Sequence, residues 1–501
     1  MRIASASLAV LLLLGAVRLT AQSMTLAEAT RLRDAGEFAQ AARVLRELWA
    51  AHPEDASVAR LLAQTLYWMH DISGAGAVYV RALDLQPQDA GLRLEYARML
   101  AETGDRARAR QLLEAIAEPA PQRADALSLL GTLANWDGEW TAAQRLFRES
   151  LQLNPAQPEA RRQLREIRIA TAPWARVAPL FWHDDQPLDR RGMVFEAGWH
   201  PTPLTPIRVR VSPVTYESDT TTLRTIAAEV ELRHAVPRAR LQTRAAFGIV
   251  QRRSPAREIE RSVDWTGRAS VGVRLPQHVT ATGRVERAPY LNTVASLGTR
   301  MQTTVLGGEL HLDHPRGWLG EAALQQQRYP DGNQVRTAYA WLLAPLVHRP
   351  RGDFQAGYAF TTEDALESRF QLAALTGSTG AIGRYDPYYT PSHVVRHSAI
   401  TALSARTPRL TFRASGDVAF HATEDAPTLI VSTGLVQRIF VARDFSPWVV
   451  RSSLDFALGQ SATLGFSAEA GRLAFYRWST AGAHVTFKLI RSGDRAAAER
   501  Q

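Results

Sequence analysis

The stretch Val263-Asp264-Trp265-Thr266-Gly267-Arg268-Ala269-Ser270-Val271-Gly272-Val273-Arg274-Leu275 alternates without a break. Its odd positions are apolar or small, and its even positions are mostly charged, hydroxylic or glycine. Successive side chains of a strand point to opposite faces, so this is a strand with one apolar and one wet face. It is also long. Ordinary strands run to about five or six residues, whereas a tilted strand that crosses a bilayer needs about 9–11.

The same alternation recurs on both sides. Ile226, Ala228, Val230 and Leu232 alternate with Glu229, Glu231 and Arg233. Ala239, Leu241, Thr243, Ala245, Phe247 and Ile249 oppose Arg238, Arg240, Gln242, Arg244, Ala246 and Gly248, and Ala483, Val485, Phe487 and Leu489 oppose Gly482, His484, Thr486 and Lys488. Turn signals divide residues 171–490 into about 16 strands, the even count of a bacterial barrel. Short connections (200–206, Pro237, 276–278, 314–317, 348–352, 407–408) alternate with longer polar ones (251–261, 287–299, 361–392). An even barrel puts both of its ends in the periplasm, with short turns there and long loops outside. Residues 449–461 would break that parity as a strand and are expected to form a short helix. Trp174, Trp182, Trp199, Trp265, Trp318, Trp448 and Trp478 lie near strand ends, where an interfacial girdle would put them. Alternation alone also fits a soluble sugar-binding β-sandwich.

Upstream the period changes. Pro53, Pro87, Pro121 and Pro155 are spaced by 34 residues, as are Ala41, Ala75, Ala109 and Ala143. Gly36, Gly104 and Gly138 share the register, with His70 standing in at the second place, and Leu45, Tyr79, Leu113 and Phe147 form a large-residue series. The physical reading is a repeated helix pair. Glycine supplies the φ > 0 turn, alanine the close approach, the large residue the filling, and proline the end of the second helix. Gly36-Glu37-Phe38, Gly138-Glu139-Trp140 and Leu151-Gln152-Leu153-Asn154-Pro155 resemble the tetratricopeptide repeat. Residues 22–170 are thus expected to hold about four repeats and a capping helix at 159–169. Such an array binds partner proteins or serves as a spacer.

At the N-terminus, Arg2 followed by an apolar run at 8–17 and by Leu19-Thr20-Ala21 has the form of a secretory signal, so residues 1–21 are expected to be removed. Residues 491–501 trail beyond the last strand as a tail. The chain has no cysteine, which leaves no disulfide, thiolate or lipoprotein anchor. The net charge is +10, with Lys488 the single lysine; it comes with no basic block or nucleic-acid motif, so no nucleic-acid partner is expected. No cofactor, metal site or enzyme constellation is expected either, since the zincin, Walker, nucleophile-elbow and EF-hand patterns are missing. Gly377-Ser378-Thr379-Gly380-Ala381-Ile382-Gly383 has no following lysine and reads as an external loop, and His183-Asp184-Asp185 as a solvated turn.

The wet faces carry both signs: Arg208, Arg210, Arg240, Arg244, Arg268 and Arg413 with Glu229, Glu231, Asp264, Asp417 and Glu469. These are the candidate channel lining. They either slide a hydrated polymer or pair across strands and hold the wall. The long loop ends Gly383-Arg384-Tyr385-Asp386-Pro387-Tyr388-Tyr389-Thr390-Pro391. A Tyr-aromatic-Ser/Thr-Pro turn leading into a strand is similar to the barrel of the bacterial cellulose synthase outer-membrane subunit family, and the order of repeats then barrel matches across the mature chain. The resemblance implies an N-terminal α-solenoid followed by a 16-stranded antiparallel transmembrane β-barrel in the cell outer membrane, in contact with its lipid, with the repeats in the periplasm. It also implies export of a cellulose-like exopolysaccharide and docking of a periplasmic or inner-membrane synthase. Arg384, Tyr385, Tyr388 and Tyr389 become candidate glycan contacts; the alternative for the tyrosines is a rigid loop anchor. A repeat scaffold that the barrel merely anchors, without transport, is the other reading.

Overall fold

The computed structural model describes residues 25–116, 120–254, 262–376, 380–432 and 435–490. The expected signal at 1–21 and the tail at 491–501 lie outside the described residues. Two compact units divide the chain at Leu164/Arg165.

The helical elements are α1 (Leu26–Asp34), α2 (Phe38–Ala51), α3 (Ala56–Trp68), α4 (Ile72–Leu85), α5 (Ala90–Thr103), α6 (Arg106–Glu114), α7 (Arg123–Trp136), α8 (Trp140–Leu153) and α9 (Pro158–Ala170). Their starts are set by side-chain caps: Asp55, Asp71, Asp89 and Asp105 each accept a hydrogen bond from an otherwise unpaired first-turn N–H. Gly36, His70, Gly104 and Gly138 all have positive φ, between 64° and 98°, so the period-34 turn is one conformation used four times. His70 adopts it despite carrying a Cβ. The four recurring alanines are wholly enclosed, and Leu45, Tyr79, Leu113 and Phe147 fill the space beside them. A Cβ added at Gly131 would meet the Phe147 ring at 2.7 Å, which shows how closely α7 and α8 pack.

The strands are β1 (Trp174–Asp184), β2 (Leu188–Thr202), β3 (Thr205–Glu217), β4 (Thr222–Val236), β5 (Leu241–Arg253), β6 (Ser262–Arg274), β7 (Val279–Pro289), β8 (Gln302–Asp313), β9 (Leu319–Arg328), β10 (Gln334–Arg349), β11 (Gly352–Ala365), β12 (Phe370–Leu375), β13 (Ala381–Tyr385), β14 (Val394–Arg406), β15 (Leu410–Ser432), β16 (Leu435–Asp444), β17 (Trp448–Ala457), β18 (Ala462–Arg472) and β19 (Arg477–Lys488). Sixteen of them close an antiparallel barrel, with β1 pairing to β19 from Trp174↔Lys488 to Asp184↔Trp478. The end holding Trp174 and Lys488 is the proximal end. The turns at 203–204, 275–278, 314–318, 350–351 and 407–409 lie there, and the longer connections lie at the distal end.

Two expectations are corrected by the strand pairing. Residues 449–461 do not form a helix; β17 occupies most of them and pairs with both β15 and β18. Parity survives because β15 runs on past the rim. Its far part, Glu424 to Ser432, pairs only with β16, and this hairpin leaves and returns at the distal end without adding to the barrel. Arg240 is not on a strand. Pro237–Ala239 form a 3-10 turn, and Arg240 closes it with φ 53°, exposed at the proximal rim.

The outer face is a band of exposed large apolar residues, among them Phe195, Val211, Ile226, Val230, Phe247, Leu310, Leu324, Leu342, Phe466 and Phe487. An apolar exterior on a closed barrel with no free edge is what a bilayer requires of a strand protein. No described helix is long and apolar enough to cross a membrane.

Candidate functional site

The inner face answers the question the sequence left open about its charges: they pair. Glu231 accepts from Arg208 at 2.9 Å and is bridged by Arg233 at 2.7 Å and Arg244 at 2.6 Å. Glu229 meets Arg268 at 3.0 Å, and Arg210 lies 4.0 Å from Glu196. On the other wall Arg413 lies 3.5 Å from Asp455, Arg451 is 3.1 Å from Glu469, and Arg396 is 3.7 Å from Asp417. Such pairs brace neighbouring strands, with five arginines sharing three glutamates on the first wall and one arginine to each carboxylate on the second. Asp264 differs. It is almost fully buried, 2.7 Å from the buried Arg252 and 3.3 Å from Arg300, and so anchors a loop.

That loop runs from Tyr290 to Met301 and contains one helical turn, α10 (Val294–Leu297), capped reciprocally by Thr293 and Ser296. It folds inward. Leu291 and Leu297 pack against Leu188 and Leu223 of the inner wall, and Arg252 donates to the Thr299 carbonyl at 2.8 Å. A second inward segment, between β11 and β14, meets it where the Thr293 hydroxyl donates to the Pro387 carbonyl at 2.5 Å.

The candidate glycan contacts lie on this second segment, and they separate. Tyr388 is wholly buried: its ring stacks on Tyr329 at 3.6 Å with a 2° interplanar angle, and its hydroxyl donates to Asp331 at 2.8 Å. Enclosed in this way it offers no face to a glycan, so that expectation is corrected; the residue anchors the loop. Burial first, then the Asp331 hydrogen bond, pushes its phenol up to about 12. Tyr389 turns the other way. It donates to Glu424 at 2.9 Å, packs on Phe475 at 4.0 Å, and lines a lumenal cavity. Burial, aided by Glu424, raises its phenol too, so it stays a neutral donor. Tyr385 sits edge-on to Tyr389 and Phe370 but does not line the cavity, while Arg384 is exposed and pairs with Asp386 at 3.2 Å.

The cavity, about 380 Å³, is lined by Trp182, Arg190, Tyr290, Gln325, Gln327, Tyr329, Glu363, Tyr389, Arg396, Phe475 and Tyr476 among others. A second, about 480 Å³, shares Gln325, Thr337, Thr361, Glu363 and Arg396 with it and adds Tyr339 and Trp341. The shared residues make the two one path along the β9–β10–β11–β14 wall. Most of these residues escape the sequence reading; the Phe475-Tyr476 pair in a short turn and the Gln325-Gln326-Gln327 run are the available signals. The tryptophans also divide. Trp199, Trp265 and Trp318 are exposed as a girdle would be, but Trp182 stacks on Trp478 at 6.1 Å inside the lumen, under the Arg190 guanidinium.

The solvated turn expected at 183–185 is corrected: His183 and Asp184 end β1 and only Asp185 enters the turn. His183 pairs with Asp189, the buried Asp184 accepts from the Gln186 and Leu188 N–H groups, and Asp185 accepts from the Arg477 N–H. Among the described residues no group of three or more potential metal ligands converges. Of the glycine-rich stretch, residues 377–379 lie outside the described residues, and Ala381 to Gly383 join β13.

A family model described as the cytochrome c-type biogenesis protein H TPR domain matches residues 34–161. The repeats are of the tetratricopeptide type. Among solved structures the chain is similar to a bacterial polysaccharide outer membrane secretin, at 9% identity over 64% of this chain and 99% of that one, with a TM-score of 0.46. It is also similar to CdiB from Acinetobacter baumannii (10% identity, 63% of this chain, 60% of that one, TM-score 0.38). The repeats are similar to Pseudomonas aeruginosa PilF (22% identity, 29% of this chain, 65% of that one, TM-score 0.27). No curated protein matches the chain.

Proposed function

We propose that the barrel conducts an extended, uncharged, cellulose-like exopolysaccharide across the outer membrane, and that the repeats, on the periplasmic side, dock the periplasmic or inner-membrane proteins that make or deliver it. The observation that carries this reading is the composition of the lumenal path. Tyr389, Phe475, Tyr476, Trp182, Tyr339 and Trp341 offer aromatic faces, and Gln325, Gln327, Thr337 and Thr361 offer amides and hydroxyls. A pyranose ring has apolar C–H faces and a hydroxyl rim, so it needs both surfaces at once. The named lining charges are engaged in ion pairs, which leaves the aromatic and amide surfaces of the path to carry a neutral polymer. No covalent chemistry is assigned to the chain; synthesis at the far end would drive the polymer.

One observation favours a second reading. The two inward loops are tied to the wall and to each other through Arg252–Thr299 and Thr293–Pro387, as a fixed plug would be. The barrel would then be an anchor for the repeats. Conductance of the folded full-length mature protein in a planar bilayer separates the two. Export requires stable channels that cello-oligosaccharides block and acidic oligosaccharides block less, with block shortened by Tyr389→Ala. Silence from folded protein would establish the plug, and preferential block by acidic chains would overturn the neutral substrate.

A further inference from the structure

The proximal turns of the barrel differ from one another in charge. The five consecutive turns from β4 round to β15 carry arginines: Arg240 between β4 and β5, Arg274 at the end of β6, Arg316 between β8 and β9, Arg349 and Arg351 at the β10–β11 turn, and Arg406 and Arg409 at the β14–β15 turn. All of these are exposed. The turns at 203–204 and 458–461, on the rest of the ring, carry no charged residue. The basic residues therefore form one arc.

Carboxylates do not match them. On the five turns and the two residues flanking each, the acidic side chains are Asp313 and Asp353. Asp353 is already engaged, 2.6 Å from His348 Nδ1 and 3.1 Å from the Ser404 hydroxyl. Among the described residues the named guanidinium groups form no ion pair, side-chain hydrogen bond or ring contact. The distal loops mix acidic residues with their arginines instead, as in Arg369 with Asp331 at 2.7 Å and Arg384 with Asp386 at 3.2 Å. Like charges gathered on one arc repel, so an anion laid across several of them is favoured.

The arc also lies where the apolar band ends. Leu275 follows Arg274, Trp318 is two residues past Arg316, and Leu346 and Val347 come just before His348 and Arg349; all four apolar side chains are exposed. A strand that leaves hydrocarbon at those side chains brings its arginine to headgroup level, where the aliphatic stem lies on apolar surface and the guanidinium reaches out. That planar fork pairs with phosphate oxygens two bonds at a time.

We infer that this arc binds the phosphates of anionic phospholipids in the leaflet at the proximal end. The occupant follows from charge complementarity and from continuity with the band. An acidic soluble protein would answer the charge and leave Leu275, Trp318, Leu346 and Val347 in water. The inference rests on the membrane placement of the barrel and not on what the lumen carries.

Electron spin resonance of the full mature chain in phosphatidylcholine vesicles tests it, with a trace of spin-labelled phosphatidylglycerol or phosphatidylcholine. Lipid held at the barrel wall moves slowly and separates from the bulk signal. Labelled phosphatidylglycerol is expected to be held about fivefold more strongly than phosphatidylcholine at low salt, the factor that about 1 kcal/mol represents. Most of that preference should vanish in 1 M salt, where the screening length is about 3 Å. The variant Arg349→Gln/Arg351→Gln/Arg406→Gln/Arg409→Gln should keep the heat-modifiable mobility of a folded barrel and the amount of slow lipid, and lower the preference to about half or less. Arg43→Gln/Arg46→Gln, at exposed positions of the repeats, should leave it unchanged. If the quadruple variant fails to fold, the salt titration of the wild type still decides. Equal holding of the two lipids by the wild type would overturn the inference and leave the arginines to an acidic protein. A preference undiminished in 1 M salt, a folded quadruple variant with the wild-type preference, or the same loss in the repeat variant would overturn it too. Absence of slow lipid of either kind would instead overturn the membrane placement on which it rests.

Discussion

Phe147 and Phe247 are the same side chain in two surroundings. Phe147, in the repeats, has no exposed surface and rests against Gly131; Phe247, in the barrel, is 64% exposed. The contrast is regional. The repeats gather their leucines and alanines into one inner core, while the barrel turns its phenylalanines, leucines and valines outward and keeps its charges inside. Water explains the first arrangement and cannot explain the second, since transferring apolar surface out of water is the main favourable term in folding. The two units therefore answer to different solvents, and substitutions should sort accordingly.

The largest effect is expected at Phe147→Ala. Deleting an enclosed ring loses its transfer free energy and leaves a cavity, a cost of about 3–5 kcal/mol that urea unfolding followed by helical circular dichroism should register. Phe247→Ala, equal in chemistry, should leave that helical transition unchanged. If both phenylalanines cost the same in the same transition, the division into two solvents fails.

Next is Asp264→Ala. Removing the carboxylate strands the buried Arg252 guanidinium and should destabilise the barrel by about 3 kcal/mol. It also frees the loop bearing α10, since Arg252 holds the Thr299 carbonyl. Rising current noise or conductance in single-channel records would report the loosened constriction. Unchanged records with lowered stability would confine the pair to bracing the wall.

Phe247→Arg sharpens the comparison on the lipid side. An arginine facing hydrocarbon near the bilayer midplane costs about 2–4 kcal/mol, falling toward the rims. Refolding equilibria in phospholipid vesicles should show that penalty. An arginine tolerated at Phe247 without cost would mean that this face does not meet lipid.

How far the sequence can reveal this is itself regional. The 34-residue period is readable because each helix pair repeats the same local contacts, so Ala41, Ala75, Ala109 and Ala143 carry their environment with them. The period-two alternation is readable because lumen and bilayer differ so strongly. What fails is whatever depends on registration between distant segments. Alternation alone carries β5 back through Arg240, because it counts as strand the residues that the turn after Pro237 takes up. It reads β17 as a helix because nothing local says that β15 overshoots the rim. Tyr388 resembles a glycan contact in sequence because its burial comes from Tyr329 and Asp331, which precede it by more than fifty residues. The pairing of Arg208 with Glu231, or of Arg413 with Asp455, needs the strand register before it can be distinguished from an open charged lining.

The smallest effect returns to the repeats, where the solvent is water and charge should behave as it does on a soluble protein. Asp137 follows the last residue of α7 and accepts hydrogen bonds from Arg106 and Arg110 of α6. Burial alone would raise its pKa, but the two guanidinium bonds outweigh it and hold the carboxyl below its ordinary value of 3.8. A carboxylate that folding makes more acidic binds fewer protons in the folded than in the unfolded chain. Its contribution is therefore present above the ordinary carboxylate pKa and is lost as pH falls through the lowered one. Asp137→Asn should cost about 1 kcal/mol near neutral pH, discounted for a pair that water still reaches. The gap between variant and wild type should narrow as the pH drops below 3.8. Helical unfolding midpoints of the two proteins across that range measure it, and a gap that holds constant would mean that Asp137 acts by its shape and not by its charge.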